Sequence, residues 1–157
     1  LALELLVPQY GIDRYPYKEQ AEYVQSALKQ IGIDVTITIV EGSEQQKRRA
    51  AGNFDLSFHT QGMPDGDPVT MLKVFMGPGN GGRYNDPGAT ALLNQAATEL
   101  NPERRMDLYR QLQRVALETL PTLALYHDHY LVVHHRDLQD YQATAYGVTL
   151  SRMHWAA

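Results

Sequence analysis

Apolar positions along the first sixty residues switch between two periods. Leu1, Leu3, Leu5 and Val7 fall on every second position, which predicts a strand over Leu1 to Val7. Ala21, Val24, Leu28 and Ile31 then recur at spacings of three and four, giving one apolar stripe on a helix over Tyr17 to Ile31. Gly32 is placed to stop that helix. Val35, Ile37 and Ile39 alternate with Thr36 and Thr38, so Asp34 to Val40 reads as a second strand. Ser43 and Gln46 fit a capping box for a short helix ending near Ala51. Phe54, Leu56 and Phe58 alternate with Asp55, Ser57 and His59, a third strand. The stretch from Pro8 to Pro16, rich in Tyr and Gly, reads as a turn. Strand, helix, strand, helix, strand with short connections predicts parallel strands joined by right-handed crossovers.

The pattern then becomes helical. Asp67-Pro68 pairs a capping residue with one suited to the first helical position, and Val69, Leu72 and Phe75 are expected to face inward. Gly77 to Gly82 reads as a loop. Asp86-Pro87 opens a helix with an apolar set of Ala89, Leu92, Leu93, Ala96, Ala97 and Leu100. Asn101-Pro102 repeats the cap chemistry and starts a longer helix through about Thr119, ended by Leu120-Pro121. Leu123 to Tyr126 and Tyr130 to Val133 read as short strands, and the last twenty residues as irregular. With no repeat and no linker, residues 1–157 are expected to form a single α/β lobe, its central sheet mostly parallel and flanked by helices.

Composition removes several function classes. A formal net charge of -4 and a pI near 5.8 offer nothing to a nucleic acid or an anionic membrane. The absence of cysteine rules out disulfides, thiol chemistry and cysteine-based zinc sites. Neither Gly-x-Ser-x-Gly nor the phosphate-cradling Gly-x-x-x-x-Gly-Lys-Ser/Thr occurs, so no enzyme is expected. No signal peptide is visible, but the chain opens at Leu1 within an apolar run, which suggests a piece of a longer protein.

The candidate chemistry gathers between His59 and Pro68, where a strand end meets a helix start; α/β proteins collect ligands at such points. The candidate ligand-binding residues are His59, Gln61, Met63, Asp65 and Asp67. Asp67 suits a helix cap better than a ligand. Asp65 has no cap duty and could hold an ammonium group. His59 and Gln61 could offer neutral polar contacts. His127, His129, His134 and His135 raise a metal reading, with His127 and His129 on one strand face, but no carboxylate or cysteine completes a recognised set. Neither a metal nor a cofactor is expected. Arg48, Arg49, Arg104 and Arg105 read as a solvated face beside Glu44 and Glu103. Tyr10, Tyr15, Tyr17 and Tyr23 cluster near one turn and either pack over the helix or line an interface.

Five segments, in order along the chain, resemble the extracellular solute-binding proteins of ABC importers, family 5, the peptide/nickel-binding group. They are Ala27-Leu28-Lys29-Gln30-Ile31-Gly32-Ile33-Asp34-Val35, Arg48-Arg49-Ala50-Ala51-Gly52-Asn53-Phe54-Asp55-Leu56, Asp67-Pro68, Arg104-Arg105-Met106-Asp107-Leu108-Tyr109 and Leu120-Pro121-Thr122-Leu123-Ala124-Leu125-Tyr126-His127. The resemblance implies a periplasmic-binding-protein-like fold, here the C-terminal lobe of a two-lobe protein that closes over its ligand and is read by a membrane permease. It implies export, to the periplasm or as a lipoprotein. It also implies small-solute ligands, peptides first, with the missing N-terminal lobe and the ABC permease subunits as partners. The sequence departs from the family pattern at Gln61, where a Trp is usual, and at Pro64, where an acidic residue is usual; Asp65 lies one residue along. Two alternatives remain: the ligand-sensing domain of a transcriptional regulator, and a nickel or metal-chelate binding protein.

Overall fold

The computed structural model describes residues 1–62, 66–126, 133–144, 147–148 and 150–156. Its organising element is β1 (Ala2–Pro8), followed by α1 (Gln9–Arg14), α2 (Tyr17–Lys29), β2 (Asp34–Val40), α3 (Gly42–Ala51) and β3 (Leu56–Ser57). The sheet order is β2-β1-β3 and both pairings are parallel. β1 runs in full register with β2, from Ala2 opposite Asp34 to Pro8 opposite Val40, and pairs Leu5 and Leu6 with Leu56 and Ser57 of β3.

A central strand of a parallel sheet is covered on both faces, so its sequence must be apolar without a break. β1 meets this demand: Leu5, Leu6, Val7 and Pro8 are all buried, Leu6 at 0% exposure. Leu5 and Val7 join Tyr17 and Ala21 of α2 and Val35 of β2 in one cluster, to which Val24, Leu28 and Phe58 add partly buried surface. α3 packs against β1 as well. The helix stop after α2 and the end of α3 both use glycine at positive φ, Gly32 at 79° and Gly52 at 75°.

A second cluster lies in α4 (Pro68–Met76), α5 (Pro87–Thr98) and α6 (Pro102–Thr119), where Val69, Met76, Ala89, Leu93, Ala96, Tyr109 and Leu112 are buried. All three helices start on the expected Asp-Pro or Asn-Pro pair, the cap side chains of Asp67, Asp86 and Asn101 accepting from the backbone N–H of Val69, Ala89 and Arg104. The α/β character with a parallel sheet matches the sequence reading.

Several local expectations are corrected. Pro8 to Pro16 contains α1 rather than only a turn. The Ser43/Gln46 box is unused: α3 starts two residues earlier, at Gly42, and Glu41 caps it without a side-chain bond. The Phe54 to His59 alternation yields only two ladder residues. Leu100 is 93% exposed and Ala97 is also exposed, because α5 ends at Thr98 and its inward face closes with Ala96. Leu123 to Tyr126 forms no ladder. Of the strand expected at Tyr130 to Val133, only Val133 is described, and it is not in a strand. The last twenty residues carry short antiparallel pairs, β4 (Leu138–Gln139) with β7 (His154–Trp155) and β5 (Ala143–Thr144) with β6 (Gly147–Val148).

Leu6→Ala should cost about 3 kcal/mol of stability, the usual penalty for emptying a close-packed leucine site. Urea denaturation measures it; a loss below about 1 kcal/mol would mean that β1 is not packed on both faces.

Candidate functional site

Parallel strands bring their carboxyl ends to one edge of the sheet, and the bend that follows β3 starts from that edge. Its direction is set before it leaves. Phe58 N donates to the Leu6 carbonyl at 3.0 Å. Gln45 of α3, only 2% exposed, donates from Nε2 to the Phe58 carbonyl at 2.7 Å and to Ser57 Oγ at 3.0 Å. The Tyr17 hydroxyl hydrogen-bonds Thr60 Oγ1, and its ring meets Phe58 edge-on at 5.4 Å. α3 and α2 thus hold the departing chain from both sides.

His59 continues this ordered start. Arg49 Nη1 donates to its Nδ1 at 3.0 Å. Guanidinium has no lone pair to offer, so Nδ1 must be the unprotonated nitrogen and Nε2 carries the proton, which points to Gln61 Oε1 at 3.2 Å. Gln61 in turn donates to the Gly62 carbonyl at 2.9 Å. The residue is exposed as a whole, yet both ring nitrogens are engaged and the ring lies edge-on to Phe75 at 6.1 Å. Withdrawal from water, followed by the Arg49 charge, holds its pKa below the ordinary 6.5, so it is neutral at pH 7.

Asp67 closes the bend. Oδ1 accepts from Val69 N at 3.0 Å and from the Tyr109 hydroxyl at 2.8 Å, while Oδ2 pairs with Arg105. The bond from Val69 N is the first cause holding its pKa below 3.8, and Tyr109 and Arg105 add to it. Asp67 therefore caps α4 and ties it to α6. Met63 and Asp65 lie outside the described residues.

Tyr10 stands at the same edge, just past β1. Its ring rests on Gly42, where a Cβ would lie 3.3 Å away, and burial raises its hydroxyl pKa. Gln45 and Arg49 went unrecognised in the sequence because α3 is nearly all polar and its period is silent; their spacing of four, which puts them on one helix face, was the available signal. The solvated-face reading is corrected for Arg48, which pairs with Glu4, and for Arg105, which pairs with Asp67, whereas Arg104 is exposed. A shallow depression of about 470 Å³ lies elsewhere, on the α5/α6 surface beside Gln95, Arg104 and Asp107.

The histidine-rich segment does not assemble a metal centre in what is described. His127 and His129 lie outside the described residues. His134 Nδ1 faces the His135 carbonyl at 2.9 Å, and His135 Nδ1 is 3.6 Å from Asp137. Among the described residues no group of three or more His, Asp or Glu could hold an ion.

Residues 4–83, just over half the chain, match the family described as bacterial extracellular solute-binding proteins, family 5 Middle. The chain belongs to this family. Among its relatives is the probable di/tripeptide-binding protein 5 of Pseudomonas aeruginosa (strain UCBPP-PA14), 30% identical over 134 residues, which cover 81% of this chain and 25% of that protein. The structure of the Escherichia coli murein tripeptide binding protein MppA superposes with a TM-score of 0.68 at 27% identity, over 77% of this chain and 24% of that one. NikA from Brucella suis, solved in complex with Fe(III)-EDTA, superposes with a TM-score of 0.63 at 26% identity, over 75% of this chain and 24% of that one. This family 5 chain thus spans about a quarter of the length of the relatives it matches. Its family is one of solute-binding proteins, not of enzymes.

Because the Asp67 carboxyl titrates below 3.8 in the fold, its contribution is complete above that pH and is lost as the pH falls through the lowered value. Asp67→Ala should cost about 1–2 kcal/mol at pH 7 and flatten the acid limb of the stability curve. Thermal unfolding between pH 2 and pH 7 measures both; an unchanged acid limb would remove Asp67 from the α4–α6 tie.

Proposed function

We propose that this chain is one lobe of the substrate-binding component of an ABC importer, gripping a peptide or similar small solute in a cleft against a second lobe. One observation carries the reading: the bend from Phe58 to Asp67 leaves a parallel sheet at its carboxyl edge, anchored by Gln45 and Tyr17 at one end and by the Asp67 cap at the other. Anchoring both ends of a segment lowers the conformational freedom that a ligand must remove, which favours binding by few contacts. The di/tripeptide-binding and murein tripeptide-binding relatives support a peptide as the solute.

In this reading Asp65 takes the ligand's ammonium group through charge-assisted hydrogen bonds. Met63 supplies apolar surface, and His59 and Gln61 line the start of the bend as an oriented neutral pair. Asp67 supports from behind. Ligand bridging two lobes binds the closed form more tightly and shifts the open–closed equilibrium toward it. The closed form is what the permease subunits would read. The protein would be exported, to the periplasm or as a lipoprotein. A metal-chelate ligand is the second reading, favoured by the likeness to NikA.

Titration of the intact protein with trialanine, followed by calorimetry and small-angle scattering, tests this. Binding with a fall in radius of gyration is expected. Asp65→Asn should weaken it by about 1.5 kcal/mol or more, roughly tenfold. Unchanged affinity in that variant removes Asp65 from the site. Nickel binding in a protein indifferent to peptides would support the second reading instead.

A further inference from the structure

Arg49, His59, Gln61 and Gly62 form a chain of bonds in which every donor points the same way. Arg49 Nη1 donates to His59 Nδ1 at 3.0 Å, His59 Nε2 to Gln61 Oε1 at 3.2 Å, and Gln61 Nε2 to the Gly62 carbonyl at 2.9 Å. The chain hangs on one lone pair. A guanidinium only donates, so the first bond exists while Nδ1 is unprotonated. A proton there sets two N–H groups and two positive charges against each other across 3.0 Å.

The surroundings decide which partner gives way. Arg49 is half-buried on α3, and its Nη2 lies against Gly81, where a Cβ would be 2.7 Å away, so it has little room to retreat on that side. Its charge also acts on the Tyr10 hydroxyl of α1, which burial keeps protonated and neutral. The His59 ring meets Phe75 of α4 edge-on at 6.1 Å, a contact without charge. Among the described residues no carboxylate acts on the ring, so none there offsets an imidazolium. The backbone on either side stays tied, Phe58 by Gln45 and Leu6, and Thr60 by Tyr17. The protonated ring therefore swings away from α3, and Gln61 and Gly62 lose the chain of bonds that holds them to it. Withdrawal from water and the Arg49 charge both oppose the imidazolium, which puts the change below pH 6.5. A released ring takes its proton near 6.5 and the held ring only at the lowered value, so the hold is complete above 6.5 and weakens between the two.

We propose that His59 is an acid-sensitive positioning residue: neutral, it holds the start of the bend in the shape that binds solute, and protonated, it lets that segment go, so the protein releases its solute as its surroundings turn acidic. This rests on the cleft reading above and adds a control to it. The control belongs to the bend's own bonding and does not depend on which solute is bound.

Trialanine is titrated calorimetrically into the intact protein and its His59→Asn and His59→Ala variants at pH 7, 6 and 5, a range in which the peptide stays a zwitterion. Wild-type affinity should fall about threefold or more from pH 7 to pH 5. His59→Asn puts an amide oxygen where Nδ1 accepts and takes no proton, so it should keep most of the pH 7 affinity and show no such fall. His59→Ala, which removes the hold, should bind more weakly than wild type at pH 7 and also lack the fall. The other histidines are common to all three proteins and cancel in the comparison. NMR of the free proteins should show the Nε2–H tautomer of His59 at pH 7. The amide signals of Gln61 and Gly62 should move with the titration of that ring and stay still in His59→Asn. A wild-type affinity that ignores pH, a fall that persists in His59→Asn, or a His59→Ala variant as tight as wild type overturns the control and leaves the cleft standing. If trialanine binds at no pH, the cleft reading fails; amide signals that follow the ring would then still support the acid-sensitive hold, and signals that ignore it would overturn that too.

Discussion

The structure depends on the burial of β1 between two parallel neighbours and two helical layers. Each of those contacts adds a demand: pairing to β2 fixes the register, pairing to β3 fixes where the bend begins, and cover from α2 and α3 makes Leu5 to Pro8 apolar without interruption. Once β1 is placed, the carboxyl edge is placed. The bend after Phe58, the Tyr10 ring and the Arg49 guanidinium all take their positions from it. The place of the proposed site is a consequence of strand polarity, because an antiparallel β3 would deliver the same residues to the opposite edge.

The second helical cluster is joined to this edge by polar contacts. Asp67 bonds α4 and α6 together at the end of the bend, and Arg83 donates to the Ala51 carbonyl at 2.9 Å beside Gly52. Such links are directional and lock orientation, whereas the apolar clusters behind them supply most of the free energy. The bend therefore leaves from one packed cluster and arrives at the other, held at each end. That arrangement suits a gripping element that must not itself refold on binding.

The sequence revealed those parts whose physics is local. Strand and helix periods identified β1, α2 and β2, with β2 matched residue for residue over Asp34 to Val40. The Asp-Pro and Asn-Pro pairs located three helix starts because capping is a short-range bond. The parts that went unread depend on distant partners. α1 carries no stripe and forms where the chain leaves β1. β3 shortened because only Leu56 and Ser57 oppose β1, whatever the alternation from Phe54 to His59 suggested. The roles of Gln45 and Arg49 come from side chains reaching across to β3 and its bend, which no periodicity records. His59, Gln61 and Asp67 were legible as neighbours in sequence, but their bonding order was not.

The most direct test of a lobe that grips with its sheet's carboxyl edge is a crystal structure of the intact protein with a bound tripeptide. The account predicts ligand atoms within hydrogen-bonding distance of the segment between His59 and Asp67, with the solute enclosed between this lobe and a second one. A solute seated on the α5/α6 surface, or one that leaves that segment solvated and untouched, would contradict it.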